Sequence, residues 1–284
     1  MPSRRSAMIL VLSAGLTASV PACTQADPPP QSGAVTDQEA APAPAPLRDM
    51  SGTWEPANGP LDGLQQNGVK AMPNDGTPEH ALPYTPLGLA TYESHNALEG
   101  PDAVLPAFQN DPRNLCEPLG FPRTNHYNLR QTQILQNEFK VVVLYEYAQA
   151  WRVMWTDGRE VPTEIVEPRF YGYSAGRWVD DTTLVVDTVG MMPEDRVWLD
   201  STGRPISDEA RVEERWHRAS EDRLELSITI DDPKMYTRPW VSMDSFPMQL
   251  MDPHYDVPEM YCSPVEMTRY NELFGLGVSD VDSQ

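Results

Sequence analysis

The chain is poor in cations, in cysteine and in long apolar runs, and each shortage excludes something. Its 284 residues hold 21 Lys and Arg against 42 Asp and Glu, a formal net charge of -21. Such a surface repels phosphate backbones and anionic lipid, which excludes a nucleic-acid binder and a basic membrane-surface helix. Apart from the N-terminal segment, no stretch approaches the roughly 20 apolar residues of a membrane-spanning helix. Phosphate-binding loops, dinucleotide fingerprints, His-Glu-x-x-His and paired Cys-x-x-Cys are also missing, so no cofactor is expected. The five histidines (His80, His95, His126, His217 and His254) lack metal-ligand spacing, and Asp252-Pro-His254-Tyr-Asp256 reads as a solvated loop, so no metal is expected either.

What is present begins with an export signal over residues 1–22. Arg4 and Arg5 precede the apolar run Ala7 to Val20, and Val20-Pro21-Ala22-Cys23 resembles a bacterial lipoprotein cleavage site. The expectation is lipidation of Cys23, export to the periplasm or outer membrane, and contact with a membrane through that anchor alone. Residues 23–48 then combine the anchor cysteine with a tether rich in Pro and Ala, which cannot bury a core and should extend. Residues 49–284 form one domain: a loop-rich arm over 49–130, a strand-rich part over 131–265 and a tail over 266–284.

Two cysteines remain, Cys116 and Cys262. In an oxidising compartment they read as one disulfide, and closing so long a loop contributes on the order of 4 kcal/mol by chain entropy.

The 29 prolines argue against long helical bundles. They crowd the arm, where the spacing allows one short helix around Pro86 to His95. Beyond it, Phe139 to Tyr145, Trp151 to Trp155, Tyr171 to Trp178, Thr183 to Thr188, Ala210 to Arg218, Leu224 to Ile230 and Trp240 to Leu250 are short runs rich in β-branched and aromatic residues. Asp157-Gly158, Asp180-Asp181 and Glu221-Asp222 separate them as hairpin turns would. Leu224-Glu-Leu-Ser-Ile-Thr-Ile230 alternates cleanly, apolar on one face and polar on the other. Seven to ten such strands without intervening helices suggest an all-β fold, a meandering antiparallel sheet closed or nearly closed into a lipocalin-like barrel. A two-sheet sandwich is the alternative.

Asn110-Asp111-Pro112 with Cys116-Glu-Pro-Leu-Gly-Phe-Pro-Arg123, Trp151-Arg152 with Trp155-Thr-Asp-Gly-Arg159, Tyr171-Gly-Tyr-Ser-Ala-Gly-Arg-Trp178, Asp181-Thr-Thr-Leu-Val-Val-Asp-Thr188 and Asp232-Pro-Lys-Met-Tyr-Thr-Arg-Pro-Trp240 form a recurring pattern. Together they resemble a broad family of secreted, uncharacterised bacterial proteins. The resemblance implies export and a β-rich fold, and it transfers no catalytic residue. The chain departs from that pattern at Ile206-Ser207, where a His before the serine would be expected.

Trp and Tyr number 7 and 11 against 6 Phe. An excess of rings with a polar handle suits a pocket for sugars, phenolic rings or flat lipophilic molecules, although the same tryptophans also suit a large barrel core. Glu214 shares a strand face with Val212 and Trp216, where desolvation would raise its pKa and fit it for proton transfer, unless a neighbouring Arg pairs with it. Asp187, in the run Leu184-Val-Val-Asp187, invites the same reading. Arg152 with Tyr171 or Tyr173 would hold a substrate carboxylate, with Trp151, Trp155 and Trp216 as further contacts. Asp157 and Arg159 belong to their turn. Three functions follow: an exported protein binding a small aromatic, glycosidic or lipophilic molecule; a cofactor-independent lyase, isomerase or hydrolase using Glu214, Asp187 and Tyr173 in the same pocket; or an envelope scaffold.

Overall fold

The computed structural model describes residues 42–59, 62, 68–127, 131–148 and 150–274. The export segment, Cys23 and most of the tether lie outside the described residues. The strands in chain order are β1 (Gly52–Pro56), β2 (Gly68–Val69), β3 (Met72–Pro73), β4 (Thr132–Gln136), β5 (Lys140–Tyr145) and β6 (Trp151–Trp155), then β7 (Tyr173–Trp178), β8 (Thr183–Val189), β9 (Arg211–Arg218), β10 (Arg223–Asp231) and β11 (Trp240–Leu250). All but β2 and β3 close into one barrel in the order β1-β11-β10-β9-β8-β7-β6-β5-β4, with β4 pairing back onto β1. β2 and β3 form a separate two-stranded ribbon. The barrel, not the sandwich, is therefore the solution to burying these alternating strands.

Alternation decides the inside. In β10, Leu224, Leu226, Ile228 and Ile230 are fully buried, while Glu225, Ser227 and Thr229 keep some exposure. Their partners across the ladder on β9 are Arg218, Trp216, Glu214 and Val212, all buried, so this face of both strands is the inner one. Trp54, Ile134, Val143, Met154, Leu184 and Met248 complete a core that fills the barrel with side chains.

β1 is the first departure from the sequence reading, which placed Gly52 to Pro56 in the arm. Trp54 pairs with Leu250 on one side and Thr132 on the other, so this short strand closes the barrel. The second departure concerns Asp157-Gly158. These residues form a tight turn, but no hairpin follows: β6 and β7 run parallel, with Met154 opposite Ser174 and Trp155 opposite Ala175. Parallel neighbours need a crossover of a dozen or more residues, and residues 156–172 supply it, passing Met191 at Arg169 before β7 starts beside the end of β6.

The parallel step gathers the long connections at one end. Registers place the start of β4, β6, β7, β9 and β11 there, together with the segments 190–210 and 232–239. The opposite end turns through the short loops 137–139, 179–182 and 219–222. The arm at the crowded end carries α1 (Pro86–Ser94), where Pro86 opens the helix and Thr85 Oγ1 accepts a hydrogen bond from Gly88 N at 2.9 Å. α2 (Arg123–Tyr127) follows, and α3 (Pro264–Phe274) follows the last strand. Cys116 and Cys262 are bonded, tying the arm to the segment before α3.

Candidate functional site

Because Ser174 and Ala175, at the start of β7, pair only with Met154 and Trp155 at the end of β6, the Trp151–Val153 half of β6 lacks ladder bonds to β7. A cleft of about 1170 Å³ opens there. Its walls are the outer face of β6 (Trp151, Val153 and Trp155), the start of β7, the crossover and the Cys116–Cys262 disulfide. Gly172 makes the approach possible. It has φ +61, and a Cβ there would stand 2.7 Å from Val189 O, so glycine alone lets the crossover enter β7 beside β8. Tyr171 and Tyr173 are thereby presented on either side of the turn.

The cleft is aromatic and basic. Trp151 is 62% exposed at its rim. The Arg159 guanidinium lies 3.7 Å from the centroid of the Trp155 ring, and that of Arg169 lies 4.1 Å from the Tyr173 ring. Asp157 holds Arg159 through Nε and Nη2 at 2.9 and 2.6 Å. The Tyr173 hydroxyl donates to Glu167 O at 2.8 Å. Burial raises the Tyr171 phenol above its ordinary pKa, opposed by a hydrogen bond with Thr124.

Behind the cleft, inside the barrel, sits a charged network. Arg152 and Glu214 form a two-pronged ion pair through Nη1–Oε1 at 2.9 Å and Nη2–Oε2. Arg152 Nε donates to Ser174 Oγ and Nη2 to Thr188 Oγ1, each at 3.1 Å, and its face packs 3.8 Å from the Phe121 ring centroid. Asn125 on α2 donates to Glu214 Oε1 at 2.9 Å. Burial disfavours the Arg152 charge, but the Glu214 carboxylate outweighs it, and the guanidinium pKa ends above its usual value. Burial likewise raises the neighbouring Tyr145 phenol.

Of the residues singled out in sequence, Trp151, Arg152, Trp155, Tyr171 and Tyr173 all border this cleft. Glu214 lies behind it, paired with Arg152 as the structural alternative foresaw. Trp216 is fully buried on the same inner face, away from the cleft lining. Asp187 differs from Glu214 in the face it occupies. Leu184, Val186 and Thr188 point inward, so Asp187 points outward, where it meets Arg177 and Arg211 at 2.9 Å each. Arg113, Arg159 and Arg169 belong to the cleft lining too, and sequence reasoning did not place them in a pocket.

Sequence reasoning also missed one string. Gly172-Tyr-Ser174-Ala-Gly176 has the Gly-x-Ser-x-Gly spacing of a hydrolase nucleophile turn. That motif needs a strand-to-helix elbow and a histidine. Here β7 leads by a hairpin into β8, and Ser174 Oγ is bonded to Arg152 Nε and to Thr188 Oγ1 at 2.9 Å. The match is one of spacing alone.

A second cavity of about 400 Å³ lies by α1, between Tyr92, His95 and Glu99. His95 there stacks 4.5 Å from Trp198 and contacts Gly203 O through Nδ1 at 2.6 Å. Among the described residues no group of three or more His, Cys, Asp or Glu is placed to hold a metal ion. Comparisons with protein-family models, with curated proteins and with solved structures found no match.

Proposed function

We propose that this is an exported, lipocalin-like binding protein that takes a small aromatic, glycosidic or lipophilic molecule at the β6–β7 seam. The observation that carries the reading is the open cleft of about 1170 Å³, bordered by Trp151, Trp155, Tyr171 and Tyr173. That volume suits a ligand at or above ordinary drug size, and ligand sites combine apolar walls with a few polar groups in this way. The export and Cys23 attachment in this reading rest on residues 1–23 alone, and with them the cleft would face the periplasm or the outer membrane.

The binding reading is favoured over acid–base catalysis because the Glu214 carboxylate already accepts from Arg152 and Asn125 and is wholly buried. A carboxylate so engaged is a poor proton carrier. The test is untargeted mass spectrometry of a periplasmic or growth-medium extract incubated with the purified protein, beside a heat-denatured control. Enrichment of an unchanged compound on the native protein supports a carrier. A depleted precursor with a new product overturns the carrier in favour of an enzyme, and the absence of both results shifts the weight to an envelope scaffold.

A further inference from the structure

The sign of charge at the cleft opposes that of the chain. Its lining holds Arg113, Arg152, Arg159 and Arg169 against Glu117 and Glu160, with no Asp or Lys. The whole chain carries twice as many acids as bases. Partners reduce this excess without reversing it: Arg196 binds Glu117 at 3.0 Å, while Glu214 and Asp157 bind Arg152 and Arg159.

The four arginines are not equivalent. Arg152 is engaged by Glu214, Ser174 and Thr188, and Arg159 by Asp157. Arg113 donates to the Tyr147 hydroxyl. Arg169 is different: its guanidinium carbon lies over the Tyr173 ring, 4.1 Å from the centroid, and among the described residues no carboxylate pairs with it. Its backbone is fixed, with Arg169 N bonded to Gly190 O at 3.0 Å. Stacking uses the face of a guanidinium and leaves its edge, where the N–H donors lie, to meet a planar anion two-pronged.

We infer that the ligand is an aromatic acid, with its ring against the Trp and Tyr walls and its carboxylate on the edge of Arg169. This rests on the binding reading above and names the ligand class for that site. The field of an otherwise acidic protein would turn such an anion away, so a local patch of arginine at one aromatic cleft has a use that a neutral ligand would not require.

The probes are 2-naphthoate and its uncharged isostere 2-naphthamide, titrated calorimetrically into the purified full-length protein at low and high salt. The acid is expected to bind about tenfold tighter than the amide at low salt, with the preference shrinking as salt rises. In Arg169→Gln the preference for the acid over the amide should disappear, and Arg169→Lys should keep part of it. The side chain is exposed, and an unchanged melting curve for each variant confirms that the comparison is between folded proteins. Equal affinity of acid and amide in the unaltered protein, or a preference that survives Arg169→Gln, overturns the anion inference and leaves the aromatic cleft standing. Binding of neither probe at millimolar concentration overturns the binding reading together with the inference.

Discussion

Arg152 and Glu214 meet inside the barrel with 1% and 0% of their side chains exposed. Taking two charges out of water is costly, and their geometry offsets that cost only while every donor and oxygen is matched. Here Ser174, Thr188 and Asn125 supply the remaining bonds. Glu214→Gln leaves the guanidinium as a buried, uncompensated cation, and unfolding free energy should drop by about 3–5 kcal/mol. Replacing both partners with apolar residues, Arg152→Met with Glu214→Leu, should restore most of that loss. Denaturant unfolding of the single and double variants checks both statements, and a double variant as weak as the single would contradict this account.

Asp187 provides the contrast. It too faces two arginines, but the side chains of Arg177 and Arg211 are 59% and 53% exposed. Exposed pairs contribute about 1 kcal/mol or less, and salt weakens them. Asp187→Asn is therefore expected to shift the unfolding midpoint slightly at low salt and hardly at all at high salt. A loss comparable with that of Glu214→Gln would place Asp187 in a role that its position on the outer face does not give it.

These two acids also mark how far sequence carries. Alternation states which residues share a face, and it paired Leu224 with Ile228 and Glu214 with Trp216 correctly. It does not state which face turns inward, and Asp187 lies one residue out of step with Leu184 and Val186. β5 to β11 were legible because their short runs are rich in β-branched and aromatic residues. β1 was not, since Gly52 and Pro56 bound a segment whose pairing comes from strands about 80 and 200 residues away. Asp157-Gly158 misled for a related reason: its turn is local, whereas the direction of the next strand is set by the whole sheet. The aromatic members of the cleft were visible as residue types. Arg159 and Arg169 became members only through the course of the crossover between β6 and β7, which no local pattern encodes.

His126 gives a pH dependence. Burial holds its pKa at about 4, below the ordinary 6.5, against opposing pulls from Leu199 O and Asp200. The unfolded chain takes up a proton near pH 6.5, whereas the folded protein resists until about 4. The stability that neutral His126 permits is complete above 6.5 and is lost as pH falls through that window, by about 3 kcal/mol. His126→Asn keeps a polar side chain beside Ser242 and removes the titration. Unfolding midpoints measured from pH 7 to pH 4 should decline less steeply in the variant, and parallel curves would show that other groups set the slope.

The Cys116–Cys262 bond spans 146 residues of sequence. By chain entropy its loss should cost about 5 kcal/mol, most of it through a freer unfolded state. Cys116→Ser with Cys262→Ser is expected to lower the melting temperature by several degrees. A melting temperature that does not change when the unaltered protein is reduced would show that the arm and barrel hold without the link.

Trp151 separates binding from stability more sharply than any buried residue. It stands at the rim of the cleft with 62% of its surface exposed, on the outer face of β6, so its removal leaves no cavity in the core. Surface substitutions of this kind usually change stability within about 0.5 kcal/mol. An aromatic ring bordering a ligand cleft, by contrast, is the type of residue whose truncation costs more than 1 kcal/mol of binding, about a tenfold loss. Trp151→Ala should therefore unfold at the same denaturant concentration as the unaltered protein and bind 2-naphthoate about tenfold more weakly. Trp216→Ala should do the reverse, because Trp216 fills the barrel interior and takes no part in the cleft lining. Its loss should cost about 3–5 kcal/mol in stability with little change in affinity while the protein remains folded. If both variants lose binding in proportion to stability, the cleft has no ligand contacts of its own at Trp151, and the recognition surface lies elsewhere on the barrel.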